Sequence, residues 1–132
     1  MHNSYSMYQS VKTIKKFKAI SQTLRLRALH LIVKAPASLC ICELMDALQK
    51  EQYQISRCLA ILEKAALIQE QRQGRLLFYS PVYDIPLNRL LFSVIDLAET
   101  DLAAFFTQDL LRLRQRLDLR KNGKVMVTYC NS

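Results

Sequence analysis

Two cysteines separated by one residue, Cys40 and Cys42, are the residues here whose types and spacing most directly suggest chemistry. Thiolates are soft ligands that favour thiophilic ions, and a nearby cationic field lowers their pKa. The pair stands where an extended stretch, Leu39-Cys40-Ile41, runs into a short helix. On a strand, positions i and i+2 share a face, so both sulfurs are expected to reach one ion. Metal or metalloid capture, dithiol redox sensing and plain packing all fit this pair. Two further cysteines, Cys58 and Cys130, lie far from it in sequence. The first ten residues are polar and lack a secretory signal, so reduced thiols in a cytoplasmic protein are expected rather than a disulfide framework. The pair is Cys-x-Cys rather than Cys-x-x-Cys, and no βαβ pattern accompanies it, which argues against a thiol oxidoreductase or any other enzyme.

A second set of residues suits a polyanion. The chain has 132 residues and a formal net charge of +8. Lys12, Lys15, Lys16, Lys18, Arg25, Arg27 and Lys34 all precede the first acid, Glu43, and Arg112, Arg114, Arg116, Arg120 and Lys121 form a second basic run. Nucleic acid is the leading partner for such a distribution and an acidic membrane surface the second. No run approaches the roughly 18 apolar residues of a membrane span.

These residues need elements to position them. Only two glycines and three prolines punctuate the chain, so it reads as mainly helical. Apolar spacing predicts helices over Met7–Ala19, from a cap at Thr23, over about Cys42–Leu48 and over about Gln52–Ala65. Two strands, Ile68–Arg72 and Arg75–Ser80, are expected to join at Gln73-Gly74. A single long helix is expected from Pro86 to Leu119. Its Leu87, Leu90, Leu91, Val94, Ala98, Leu102 and Phe105 exceed what one small core needs, and the surplus reads as a dimer face. The expected domains are a unit over 1–119 and a C-terminal tail over 120–132, which lacks a clear period and reads as partly flexible.

Short helix, tight turn, longer helix and hairpin make a winged helix-turn-helix: mainly α with a small β-hairpin. The second helix is long enough to enter a major groove while the first braces it. Its stripe of Ile55, Leu59 and Leu62 leaves Gln52, Gln54, Ser56 and Arg57 pointing outward. Gln pairs with adenine and Arg with guanine, and Ser reaches a base or a phosphate. Arg72 and Arg75 flank the hairpin turn, placed for the minor groove or the backbone. Each alone fits a solvated surface; the set fits double-stranded DNA.

The runs Phe17-Lys18-Ala19-Ile20-Ser21 to Leu24-Arg25-Leu26-Arg27-Ala28-Leu29, Leu39-Cys40-Ile41-Cys42-Glu43-Leu44, Ile55-Ser56-Arg57-Cys58-Leu59 and Gly74-Arg75 before Phe78-Tyr79 resemble the ArsR/SmtB family of metal-sensing repressors. The resemblance implies a homodimer, paired through its first and last helices, that sits on an inverted-repeat operator and leaves on binding its inducer. Leu-Cys-x-Cys-Glu-Leu resembles the arsenic-responsive branch, whose As(III) or Sb(III) is held by three sulfurs; Cd(II) and Pb(II) are the other soft inducers considered. The third cysteine of that pattern falls on Met45, and Cys130, from the same or the partner subunit, is the candidate replacement. Cys58 stands where the family usually has His and reads first as a stray thiol. No histidine occurs between Pro86 and Leu119, which disfavours a zinc site on the last helix.

Overall fold

The computed structural model describes residues 4–128. Its elements are α1 (Ser4–Ile20), α2 (Thr23–Lys34), β1 (Leu39–Cys40), α3 (Ile41–Leu48), α4 (Gln52–Lys64), β2 (Ile68–Gln73), β3 (Leu76–Pro81), α5 (Pro86–Leu97) and α6 (Ala103–Leu117). The architecture is the expected winged helix-turn-helix: helices around one core and a small antiparallel sheet. The core is built from Leu29, Leu31, Ile32, Leu44, Leu48, Ile55, Leu59, Leu62, Leu67 and Ile68, all essentially inaccessible.

Local chemistry explains the boundaries. Gln22, rather than Thr23, caps α2: its side-chain oxygen accepts from the Arg25 amide at 2.8 Å, satisfying one of the free donors of the first turn. Gln49 closes α3 in the left-handed region at φ 56°, and its side chain donates to the Asp46 carbonyl. That turn sends the chain directly into α4. Pro86 occupies the start of α5, where its missing N–H costs nothing. In the hairpin, Gln73 pairs with Leu76, leaving Gly74 and Arg75 as the turn, with Gly74 at φ +64°. Arg75 therefore sits in the turn, not in the strand. The sheet also has a third strand: Leu39 pairs with Tyr79 and Cys40 with Phe78, giving the order β1-β3-β2.

The single long final helix is corrected to two. A continuous helix over Pro86–Leu119 would be roughly 50 Å long at about 1.5 Å per residue, longer than this core. The break over 98–102 instead lets α6 return to α2 and α3 and bury Phe106, Asp109 and Leu113. Glu99, in the break, accepts from Lys34 and faces Nε2 of the buried His30, both at 3.0 Å. The His30 ring stacks on Phe106 with centroids 3.7 Å apart. Burial holds the His30 pKa below its ordinary value, against the opposing pull of Glu99.

The second basic run is also not what charge alone suggested. The Asp109 carboxylate, fully buried, accepts from Arg27 at 2.8 and 2.9 Å and from Arg112 at 3.0 Å. Arg112 also donates to the Ala47 carbonyl at 2.7 Å. Arg116 pairs with Asp46, and Arg120 grips Glu43 at 2.5 and 2.6 Å and the Ser38 carbonyl at 2.8 Å. Arg112 and Arg116, one turn apart on α6, and Arg120 just beyond its end fasten this part of the chain to α3. Removing one partner of a buried ion pair leaves an uncompensated charge. Asp109→Ala is accordingly expected to destabilise the fold by about 3–5 kcal/mol in urea unfolding; a loss below about 1 kcal/mol would mean that Arg27 and Arg112 regain water freely.

Candidate nucleic-acid interface and cysteine site

Helix α4 turns Ile55, Cys58, Leu59 and Leu62 inward. The opposite side at its N-terminal end is open: Gln52, Tyr53, Gln54 and Arg57 are exposed and Ser56 is half-buried. Tyr53 is 68% exposed, and the Arg57 guanidinium lies over its ring, 5.6 Å from the centroid, with Nη1 3.4 Å from the hydroxyl. Arg72 and Arg75 are exposed beside Gly74. The structure thus leaves all six predicted DNA-facing residues accessible, four on α4 and two at the hairpin tip.

The far end of α4 is held by a buried polar junction. Lys16, on α1, donates to the Ala65 carbonyl at 2.8 Å and to Asn88 Oδ1 at 2.9 Å. Asn88, on α5, donates to the carbonyls of Ala66 and Val82 at 2.8 and 3.0 Å. A cation at a helix C-terminus complements the negative end of its dipole. Desolvation lowers the Lys16 pKa, helped by the neighbouring charge of Lys12. This junction ties α4 to α1 and α5 at once.

The cysteines are not two neighbours on one strand face, as expected. Cys40 ends β1 and is the N-cap of α3, while Cys42 lies inside the first helical turn. The Glu43 carboxylate accepts from the Cys40 amide at 3.2 Å, and the Cys40 sulfur faces the Glu43 amide. Cys40 is 2% exposed. Burial pushes its thiol up to about 11, against the Glu43 amide, which favours the thiolate. Cys42 is half-buried and its Sγ donates to the Thr128 carbonyl at 2.8 Å. Arg116 reaches the adjacent Val127 carbonyl, so the chain beyond α6 lies against the turn that carries Cys42. Met45 packs on the edge of the core. Among the described residues no group of three His, Cys, Asp or Glu side chains is arranged to hold a metal ion; Cys130 lies outside the described residues. Cys58 is buried on the inner side of α4, its thiol raised by desolvation, as a packing residue would be.

A profile of bacterial regulatory proteins of the arsR family matches residues 23–70, from α2 into β2. The chain is 31% identical over 101 residues to arsenic resistance transcriptional regulator ArsR1 of Pseudomonas putida, covering 75% of each chain. The chain belongs to the arsR family. It is also 39% identical over 70 residues to ArsR2 of the same organism, spanning 60% of that protein and 53% of this one. Over 73 residues it is 34% identical to the arsenical resistance operon repressor of Escherichia coli, covering 55% of this chain and 62% of that one. Among solved structures, reduced HlyU from Vibrio cholerae superposes with a TM-score of 0.57 at 21% identity, over 74% of this chain and 96% of that one, a likeness of fold.

Three residues of this arsR-family chain have roles that residue order does not announce. Tyr53 reads in sequence as one more apolar side chain, although it stands four residues before Arg57, the spacing of a helical pair. Lys16 reads as surface charge, because it stands opposite Met7, Val11 and Ile14 on α1; the structure buries it and leaves those three exposed. Arg120 reads as a residue for a polyanion and instead holds Glu43.

Two outcomes are expected. Arg57→Ala weakens binding to a selected duplex by about 1–3 kcal/mol if the guanidinium reads a base; unchanged affinity by fluorescence anisotropy removes it from the interface. Among the three described cysteines, iodoacetamide at pH 8 alkylates Cys42 first, and Cys40 joins only as the pH rises toward 11, because a thiol held protonated by burial is unreactive below its raised pKa. Peptide mapping that finds Cys40 modified first contradicts the burial described.

Proposed function

We propose that this chain is a homodimeric, cytoplasmic transcriptional repressor that binds an inverted-repeat operator in double-stranded DNA and leaves it when a thiophilic metalloid, arsenite or antimonite, is captured at Cys40 and Cys42. One observation carries the reading. An exposed edge of Gln52, Tyr53, Gln54 and Arg57 stands on a helix whose inner face packs on α3, and the first turn of α3 holds both cysteines. Gln52, Gln54, Ser56 and Arg57 contact the major groove, and Arg72 and Arg75 the backbone or minor groove at its side.

The dimer is supported by faces that one chain leaves uncovered. Met7, Val11, Ile14 and Phe17 on α1 and Leu90, Val94 and Leu97 on α5 are each between 46% and 83% exposed. Burying such an apolar patch against its own copy is favourable at about 25 cal/mol per Å². Of the surplus expected along the final stretch, Leu90 and Val94 on α5 and Phe105 on α6 are the exposed ones.

Capture of a trivalent ion replaces S–H protons. Cys40 would then leave the N-cap of α3, and Cys42 would lose the hydrogen bond it donates to Thr128. Both changes act on the helix that braces α4, a short route from inducer to DNA. Cys130 is the proposed third sulfur: it is two residues beyond Thr128, a span of at most about 7 Å. No helix among the described residues is long and apolar enough to cross a membrane. The arrangement serves regulation rather than turnover.

The test is anisotropy of a selected duplex bound by the protein and titrated with arsenite, cadmium, lead and peroxide. Arsenite is expected to weaken DNA binding about 5- to 150-fold, the range of a typical coupling energy. Cys40→Ser/Cys42→Ser should keep the DNA and ignore arsenite, and Cys130→Ser should bind arsenite less tightly. Release by peroxide with indifference to arsenite would turn the pair into a redox sensor, and release by cadmium or lead alone into a soft-metal sensor.

A further inference from the structure

Arg27, Lys34, Arg112, Arg116 and Arg120 are paired with carboxylates of their own chain. Of the cations for which the described residues show no such pair, Lys15, Lys18, Arg25 and Lys64 stand together around one hollow of about 230 Å³ between α1, α2 and the last turn of α4. Its floor is Ala19, Ile61 and Ala65. Like charges gathered without an acid repel one another, and a polyanion is the partner that relieves them.

The hollow continues the reading edge. Tyr53, Arg57 and Lys64 recur at positions i, i+4 and i+11 of α4, one stripe of a helix. The charges of Arg25 and Arg57 both bear on Cys58, buried on α4. The acid on this part of α4, Glu63, faces Glu70 of the hairpin, and burial together with the Glu70 charge raises its pKa. Arg25 is fixed in place by donating to the carbonyls of Ala19 at 2.9 Å and Lys18 at 3.2 Å, and α2 begins beside it without an acid in its first turn. From Arg57 to Lys64 is about 10 Å along the helix axis, close to the roughly 12 Å width of the major groove.

We propose that Lys15, Lys18, Arg25 and Lys64 form a grip for the phosphate backbone at the edge of the groove that α4 enters, with the apolar floor against the sugars. This inference rests on α4 being the DNA-reading helix. Phosphate contacts fix register without reading sequence. The grip therefore sets affinity and its salt dependence, while Gln52, Gln54 and Arg57 set base preference.

The test compares the full-length protein with Lys15→Gln/Lys18→Gln/Lys64→Gln, with Lys64→Gln alone and with the control Lys121→Gln/Lys124→Gln, on a selected and a scrambled duplex. The logarithm of the binding constant should fall with the logarithm of salt less steeply by about 0.9 for each phosphate no longer neutralised. The weakening should be equal for both duplexes, so their affinity ratio stays constant, and the control should keep the wild-type slope. Unchanged thermal unfolding midpoints confirm that the exposed lysines were not structural. A triple variant that retains the wild-type slope overturns the grip while leaving the reading helix intact. A wild-type protein that ignores every duplex at low salt overturns both.

Discussion

Helix α3 is held by charge as much as by its apolar face. Its two carboxylates, Glu43 and Asp46, are nearly inaccessible, and carboxylates in that position are tolerable only when fully partnered. Arg120 and Arg116 supply the partners from α6 and the turn after it, and Arg112 closes on the Ala47 carbonyl nearby. The position of α4 follows, because the Gln49 turn allows little freedom between the two helices. The cysteines inherit the same constraint: Glu43, gripped by Arg120, is also the residue whose carboxylate receives the Cys40 amide. The cysteine-bearing turn, α3 and α4 form one mechanical unit.

That arrangement sorts the chain's excess positive charge. Arg112 and Arg116 of α6, with Arg120 beyond it, are neutralised internally and bind structure together. The cations around the hollow between α1, α2 and α4, and Arg72 and Arg75 at the hairpin, have no acidic partner among the described residues.

The sulfur chemistry is correspondingly guarded. Cys40 is buried as a helix cap and kept protonated, whereas Cys42 is accessible enough to be held by a backbone carbonyl of the tail. Under the proposed function, a ligand that binds both would have to undo a cap and a tether, and so would favour a conformation other than this one, the requirement for a conformational response.

Much of this was legible from residue order alone. Periodicity located the helices of the reading unit, and the Ile55, Leu59 and Leu62 stripe fixed which face of α4 is buried, hence which of Gln52, Gln54 and Arg57 looks outward. Glycine at position 74 marked the hairpin turn, since φ +64° suits no other residue as well. These are properties of neighbours within one or two helical turns. Tertiary structure decided what depends on distant partners: that Arg112, Arg116 and Arg120 meet α3 rather than solvent, that Lys16 is buried at the end of α4, that the last helix breaks to cover His30, and that Cys40 caps a helix while Cys42 lies within it. A side chain's charge is written in the sequence, but whether that charge is used within its own fold or left for a partner depends on which residues, dozens of positions away, the core brings to it.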